Sequence, residues 1–409
     1  MPTLHHLISH AQKYGEQHRP LYLFGLCIFF FIIFDGIIAY MLPVVMSRRG
    51  FSTTTIGFII SASSIVGAAF DFLLARALRA VNIRRLFLFV FLIGALVPAI
   101  VWRAETVSMF LVAVALGGIY FDLYVFSTFD FVARYTKRSE HASSFGFIQI
   151  CASLGGLIAP IIAMSAFILD GSGRPFFIAW AALAVSALCF LSLSAWMKNT
   201  LASVEQTGVR KKTFMHELRL WKNIGILIRS PLVMTLSLHL FNGLFWTLAP
   251  LYPVNDMPFF NAVLLVAYGL PILLVGWFVG PITRQFGKKQ TAFGALLIGS
   301  LILSLVSSLQ NPSAIILCVF LASSFFGIAW PSISGAYADY ISETPNREEE
   351  IEGVQDFFGN GGYIIGPITA GLLADVVGIP MTFTLFGVLG AIIGAALLSG
   401  GKKSITIPS

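Results

Sequence analysis

The sequence predicts an all-α polytopic membrane protein, with twelve transmembrane helices in two pseudo-symmetric six-helix halves. Three observations carry that prediction. Of 409 residues, 57% are hydrophobic and only 11% are charged, whereas soluble domains place charge on about a quarter of their residues. Apolar runs of the roughly 20 residues that a bilayer demands recur along the whole chain. The chain also reads as one half written twice: Phe145 to Ala163 aligns, at an offset of 207 residues, within the stretch from Glu352 to Asp375, on Glu352 to Ala370, laying Gly146 on Gly353, Gly155 on Gly362 and Pro160 on Pro367. An offset of 209 pairs Gly118 with Gly327 and Asp130 with Asp339. A period near half the chain length indicates a duplicated domain and excludes a solenoid.

Taken in order, residues 1–19 form a cytoplasmic N-terminal segment. Leu4, Leu7, Ile8 and Ala11 fall at helical spacing opposite His5, His6, His10 and Lys13, the pattern of a short helix lying on the membrane surface. A metal site there would have no carboxylate or cysteine within one helical turn of His5, His6 or His10, and the full-length apolar run that follows argues against a cleaved signal. Six spans at about 20–46, 53–75, 84–102, 106–133, 142–169 and 175–197 make an N-terminal half, 20–197. Residues 198–230 are a cytoplasmic linker, in which Phe214, Leu218, Trp221, Ile224 and Leu227 share one side of a surface helix. Spans at about 232–253, 259–283, 291–309, 313–340, 352–375 and 380–399 make the C-terminal half, 231–399, and residues 400–409 are a cytoplasmic tail.

Charge gives the orientation. With both termini inside, 22 of the 26 Lys and Arg residues fall on inner segments, leaving Arg48, Arg49, Arg103 and Arg174 outside. This is the excess expected of cytoplasmic loops and suits a cytoplasmic (inner) membrane. The net charge of +7 is spread between apolar runs, so its partners are lipid headgroups and not nucleic acid. Cys27, Cys151, Cys189 and Cys318 stand singly in apolar runs, with no metal-binding spacing. No nucleophile, metal or phosphate-cradle motif is present, so neither an enzyme nor a cofactor is expected.

At this point the pattern resembles the major facilitator superfamily over nearly the whole chain, from about Leu21 to Ser399. That family's loop motif is close to G-x-x-x-D-R-x-G-R/K-R/K. The second half carries Gly280, Arg284, Gln285, Gly287, Lys288 and Lys289, with Arg284 where the acid belongs; the first half keeps Gly67 and Asp71 and departs at Phe72. Asp339, Arg347, Gly353, Gly362, Gly366 and Pro367 resemble the region between a half's fourth and fifth helices. The resemblance implies that the motif latches the halves on the cytoplasmic side. It also implies that the first, fourth, seventh and tenth helices line a central cavity.

Ionisable residues deep in apolar spans are costly and usually face a pathway. Four stand out: Asp35, Asp122, His239 and Asp356. Asp35 lies near the middle of its span, where a desolvated carboxyl can exchange a proton in each cycle or, alternatively, brace helices through a hydrogen bond. Asp35 and Asp122 are the candidates for proton coupling. His239, Asn242 and Trp246 share a helical stripe and, with Phe126 and Trp330, are candidates for the substrate cavity. Asp130 and Arg134, four apart, are expected to pair locally. Asp356 is expected to pair with Arg284 or to serve a gate. Gly276 with Gly280, Gly362 with Gly366 and Gly390 with Gly394 should let helix backbones approach closely. No Lys or Arg lies in the middle of a span, which disfavours an anionic substrate.

The expectation is a monomeric secondary active transporter that moves a small organic solute by alternating access, with protons and membrane lipids as further partners and proton-coupled export as the direction. Alternatives are a sugar or amino-acid importer or uniporter, and a non-transporting sensor or assembly protein of the same fold.

Overall fold

A computed structural model describes residues 4–77, 83–136, 140–170, 173–196, 225–226, 228–254, 257, 259–344 and 347–400. The linker helix expected around Phe214 to Leu227 and the tail lie outside these residues, apart from Gly225 and Ile226 of that stretch and Gly400. Twelve long helices are present: α1 Leu4–Arg48, α2 Thr53–Ala77, α3 Ile83–Arg103, α4 Val107–Tyr135, α5 His141–Asp170, α6 Arg174–Trp196, α7 Arg229–Leu248, α8 Phe260–Phe286, α9 Lys288–Leu303, α10 Pro312–Glu343, α11 Glu348–Val377 and α12 Ile379–Gly400. Eleven are long and apolar enough to cross a membrane. The exception is α11, where Asn360 and six glycines between Gly353 and Gly371 dilute the apolar content. The protein is a multi-pass, all-α integral membrane protein.

The N-terminal segment is helical and continuous with the first span: α1 runs unbroken from Leu4 through Pro20 to Arg48, and its Arg19–Arg48 stretch is long and apolar enough to cross a membrane. Local signals set other ends. Thr106 caps α4 by accepting from Met109 N–H, and Asn311 caps α10 by accepting from Ser313 N–H, with Pro312 in the first turn. Between α8 and α9 stands a single residue, Gly287, whose φ of +85° lets one helix end and the next begin without a loop. Interior prolines Pro98, Pro160, Pro271, Pro331 and Pro367 leave their helices continuous.

The chain divides into two compact units: Met1–Ala39 with Ala69–Thr207, and Tyr40–Ala68 with Gly208–Ser409. In the first, α3 packs on α4 and α6, and α5 on α6. In the second, α11 packs most extensively on α7, with α10 against α8 and α9, and α12 against α9.

The repeat is visible atom by atom inside each unit. A Cβ on Gly155 of α5 would meet the Phe29 carbonyl at 2.7 Å and Ile32 Cβ at 3.3 Å in α1; a Cβ on Gly362 of α11 would meet the Leu236 carbonyl and His239 Cβ, each at 2.6 Å, in α7. The offset of 207 relates Phe29 to Leu236 and Ile32 to His239 as well. The same helix crossing is thus built twice, with glycine where the backbones touch. The expectation for Gly276 and Gly280 fails, because no described atom lies within 4 Å of the added Cβ on Gly276 and only an Arg284 side-chain atom lies at 4.0 Å on Gly280. Spacing four apart puts two glycines on one face; it does not decide what that face meets.

Candidate functional site

In the first unit the centre of interest is a carboxyl. Asp35 is half-buried on α1, and the buried Tyr120 of α4 donates its hydroxyl proton to Asp35 Oδ1 at 2.6 Å. Phe31 stands edge-on to the Tyr120 ring at 5.9 Å, Phe34 lies 5.7 Å from it, and Tyr124 packs on Phe31 at 4.7 Å. The pair therefore sits among aromatic rings, with few competing dipoles. Asp122, also half-buried, is two residues beyond Tyr120, and two helical steps turn it by about 200°. The hydrogen bond described at Asp35 is the one from Tyr120. Phe126 is exposed on α4.

In the second unit the stripe on α7 has the expected form: His239, Asn242 and Trp246 are all half-buried, while Leu238, Phe241 and Phe245 on the other side are sealed. His239 packs edge-on against Trp330 of α10 at 4.7 Å and against Tyr363 of α11 at 4.8 Å. Its Nδ1 lies 2.8 Å from the Thr235 carbonyl. A carbonyl can only accept, so Nδ1 carries the proton in the neutral ring and Nε2 carries the lone pair. Asn242 lies beside the Tyr268 hydroxyl of α8.

Sequence reasoning missed three of these residues: Tyr120, Tyr268 and Tyr363. A signal existed for Tyr363, which replaces Gly156 at the repeat offset just as His239 replaces Ile32 and Asn242 replaces Asp35. The chemistry gathers where the two copies differ. Tyr120 carried no such signal, since an aromatic ring in an apolar run reads first as bulk.

The loop-motif residues form a separate group. Lys288 Nζ, placed by the turn at Gly287, donates to Asp339 Oδ1 at 2.5 Å and to the Gly335 carbonyl at 3.2 Å, tying α9 to α10. Lys289 lies over the Tyr340 ring at 5.8 Å. Arg284 turns back on its own helix, its Nε donating to the Gly280 carbonyl at 3.3 Å, while Asp356 is exposed on α11 and Arg347 immediately precedes that helix. Asp130 pairs with Arg134 at 2.5 Å as expected, so the repeated acids Asp130 and Asp339 hold different cations. Gly67 is buried in α2, and the Asp71 side chain lies outside what is described. Among the described residues no three His, Cys, Asp or Glu could hold a metal ion, and the cysteines are free thiols.

Comparison with known proteins follows the same lines. No curated protein matches the chain by sequence. Its fold is similar to the nucleoside transporter NupG, at 13% identity with a TM-score of 0.70 over 93% of this chain and 98% of that one. It is similar to a POT family transporter in complex with a thioalcohol-conjugated peptide, at 16% identity and a TM-score of 0.68 over 93% and 96%. It is also similar to the E. coli fucose:proton symporter FucP, at 16% identity and a TM-score of 0.59 over 93% and 98%. Residues 24–347 and 260–404 match the sequence profile of the Major Facilitator Superfamily. With twelve helices, a duplicated helix crossing and that match over most of its length, the chain belongs to the Major Facilitator Superfamily.

Proposed function

We propose that the chain is a secondary active transporter that moves a neutral, polar organic solute by alternating access, driven by a proton taken up and released at Asp35. One observation carries the reading: a carboxyl midway along the Arg19–Arg48 membrane span of α1, bonded by the Tyr120 hydroxyl from α4 at 2.6 Å. A carboxyl at that depth is expensive and persists where a pathway needs it. The hydroxyl donates to the ionised carboxylate and, by rotating, accepts from the protonated carboxyl, so one pair serves both protonation states. Asp122 is a second acid within reach of the same role from another face of α4.

The absence of Lys and Arg from the middle of the spans argues against an anionic solute, which would find no fixed countercharge. Nucleoside, peptide and fucose, named for the similar structures, support a polar organic one over a lipophilic drug. The fucose:proton symporter favours a second reading, uptake with solute and proton moving together; in export they would exchange. The protein would act as a monomer in a cytoplasmic membrane with both termini inside. The motif residues Gly280, Gly287, Lys288, Lys289 and Asp339 would brace its cytoplasmic side.

The test is flux into liposomes holding the purified protein under an imposed pH gradient, with labelled nucleosides, peptides and sugars and with cationic dyes. Gradient-driven flux should be lost in Asp35→Asn while solute exchange without a gradient persists, and the sign of the effective gradient gives the direction. Driven flux that survives Asp35→Asn rejects Asp35 as the coupling group. No flux of any compound favours a sensor or assembly role.

A further inference from the structure

The polar aromatic cluster of the second unit says more about the solute than the carboxyl of the first. Three of its polar atoms are uncommitted. His239 Nε2, the Trp330 indole N–H and the Tyr363 hydroxyl have no hydrogen-bond partner among the described residues, and none of the three is sealed from solvent. His239 cannot turn its lone pair inward, because the Thr235 carbonyl holds Nδ1–H. Gly359 leaves room for that edge of the ring: a Cβ there would stand 3.1 Å from Nε2 and 3.2 Å from Cε1. Trp330 and Tyr363 meet the imidazole edge-on, giving a cluster of three aromatic rings that carries one fixed acceptor and two donors. Among the described residues no carboxylate or ammonium group is bonded to it.

The geometry points to a binding site for a neutral planar heterocycle bearing at least one N–H or O–H donor, which His239 Nε2 accepts while the aromatic side chains take the ring. This rests on the reading that the chain moves a neutral polar solute, and it names the class. A flat ring buries both faces against aromatic side chains. The lone pair fixes its orientation, since a site built to bond a polar group rejects an analogue that lacks it. His239, Trp330 and Tyr363 would then determine specificity, and Asn242 would contribute from one turn along α7.

The test is equilibrium binding to the purified full-length protein in detergent, without a gradient, using uridine, 3-methyluridine, in which the ring N–H is blocked, and fucose, which has hydroxyls but no aromatic face. Uridine should bind, with 3-methyluridine and fucose each weaker by about tenfold or more. His239→Phe keeps an aromatic ring and removes the lone pair; it should weaken uridine by a similar factor and abolish the preference over 3-methyluridine. Should that variant fold poorly, Gly359→Ala covers Nε2 without altering the imidazole and should give the same loss. No binding of uridine, equal binding of 3-methyluridine, or a preference for fucose overturns the site. Because no gradient is involved, uridine binding without proton-driven flux would sink the coupling proposal and leave this site standing. Proton-driven flux of another solute without uridine binding would do the reverse.

Discussion

Asp375, near the C-terminal end of α11, completes the N-terminus of α2: its Oδ1 accepts the Thr53 backbone N–H at 3.0 Å and the Thr53 hydroxyl at 2.6 Å. Its Oδ2 accepts the Thr54 N–H at 2.9 Å, and Ser52 Oγ accepts the Thr55 N–H at 3.2 Å. The first bond along the helix then runs from Ile56 N–H to the Ser52 carbonyl at 3.0 Å. The N–H groups of Thr53, Thr54 and Thr55, which the helix start leaves without an internal partner, are all satisfied, two of them by a residue 322 or 321 positions away. The carboxylate also meets the positive end of the α2 dipole. Behind it the backbones touch, since a Cβ on Gly371 would lie 2.2 Å from the Thr53 carbonyl.

Asp375→Ala should therefore lower stability by about 1 kcal/mol, the usual cost of a lost N-cap. Asp375→Asn should lower it less, because an amide oxygen still accepts one of the three donors. Thermal unfolding of the detergent-purified protein measures both. An unchanged midpoint for the alanine variant would show that water replaces the carboxylate at no cost.

The duplicated crossing predicts matched sensitivities. Gly155→Ala and Gly362→Ala each push a methyl to within 2.7 and 2.6 Å of a backbone carbonyl, and each should cost about 1–3 kcal/mol by overpacking. Gly146 is also one of the repeated glycines, yet no described atom lies within 4 Å of its added Cβ. Gly146→Ala should change stability by less than about 0.5 kcal/mol, or raise it slightly through helix propensity. Equal losses at all three positions would mean that the repeat alone, and not the contact, sets the requirement.

How much of this was legible follows from what each feature depends on. The spans could be read because hydrocarbon thickness imposes their length, and the repeat because three glycine and proline positions kept register. That one helix continues through the join at residues 19–20 could not, because nothing local shows that Pro20 leaves α1 unbroken. His239 announced itself as an ionisable group in an apolar run. Tyr120 did not, because its role as donor exists only once α1 and α4 pack in one register. Asp375 read as the end of a span, since nothing local shows that the helix start it caps lies more than three hundred residues away.

The Lys288–Asp339 pair should matter little to stability. Its side chains are 40% and 54% exposed, and ion pairs in that setting contribute below about 1 kcal/mol. Lys288→Ala, Asp339→Ala and the double variant, compared by thermal unfolding, should give a coupling of that size that shrinks at high salt. A salt-insensitive coupling well above it would assign the loop motif a larger part in holding α9 on α10.

The sharpest separation is between Asp35 and Tyr120. Asp35→Asn removes the titrating group, whereas Tyr120→Phe keeps the acid and removes the proton it receives in its hydrogen bond. A hydrogen bond to a charged partner contributes about 1.5–3 kcal/mol, so losing it while the carboxylate stays among aromatic rings should slow gradient-driven flux by roughly tenfold or more. Tyr120→Phe should remain responsive to the pH gradient, with its dependence on external pH displaced; Asp35→Asn should lose the response altogether. Initial rates at a series of pH values, with and without the gradient, distinguish the two. If both variants lose coupling alike, the tyrosine takes part in the proton's path. If Tyr120→Phe behaves as the unaltered protein, the 2.6 Å bond only braces α4 against α1.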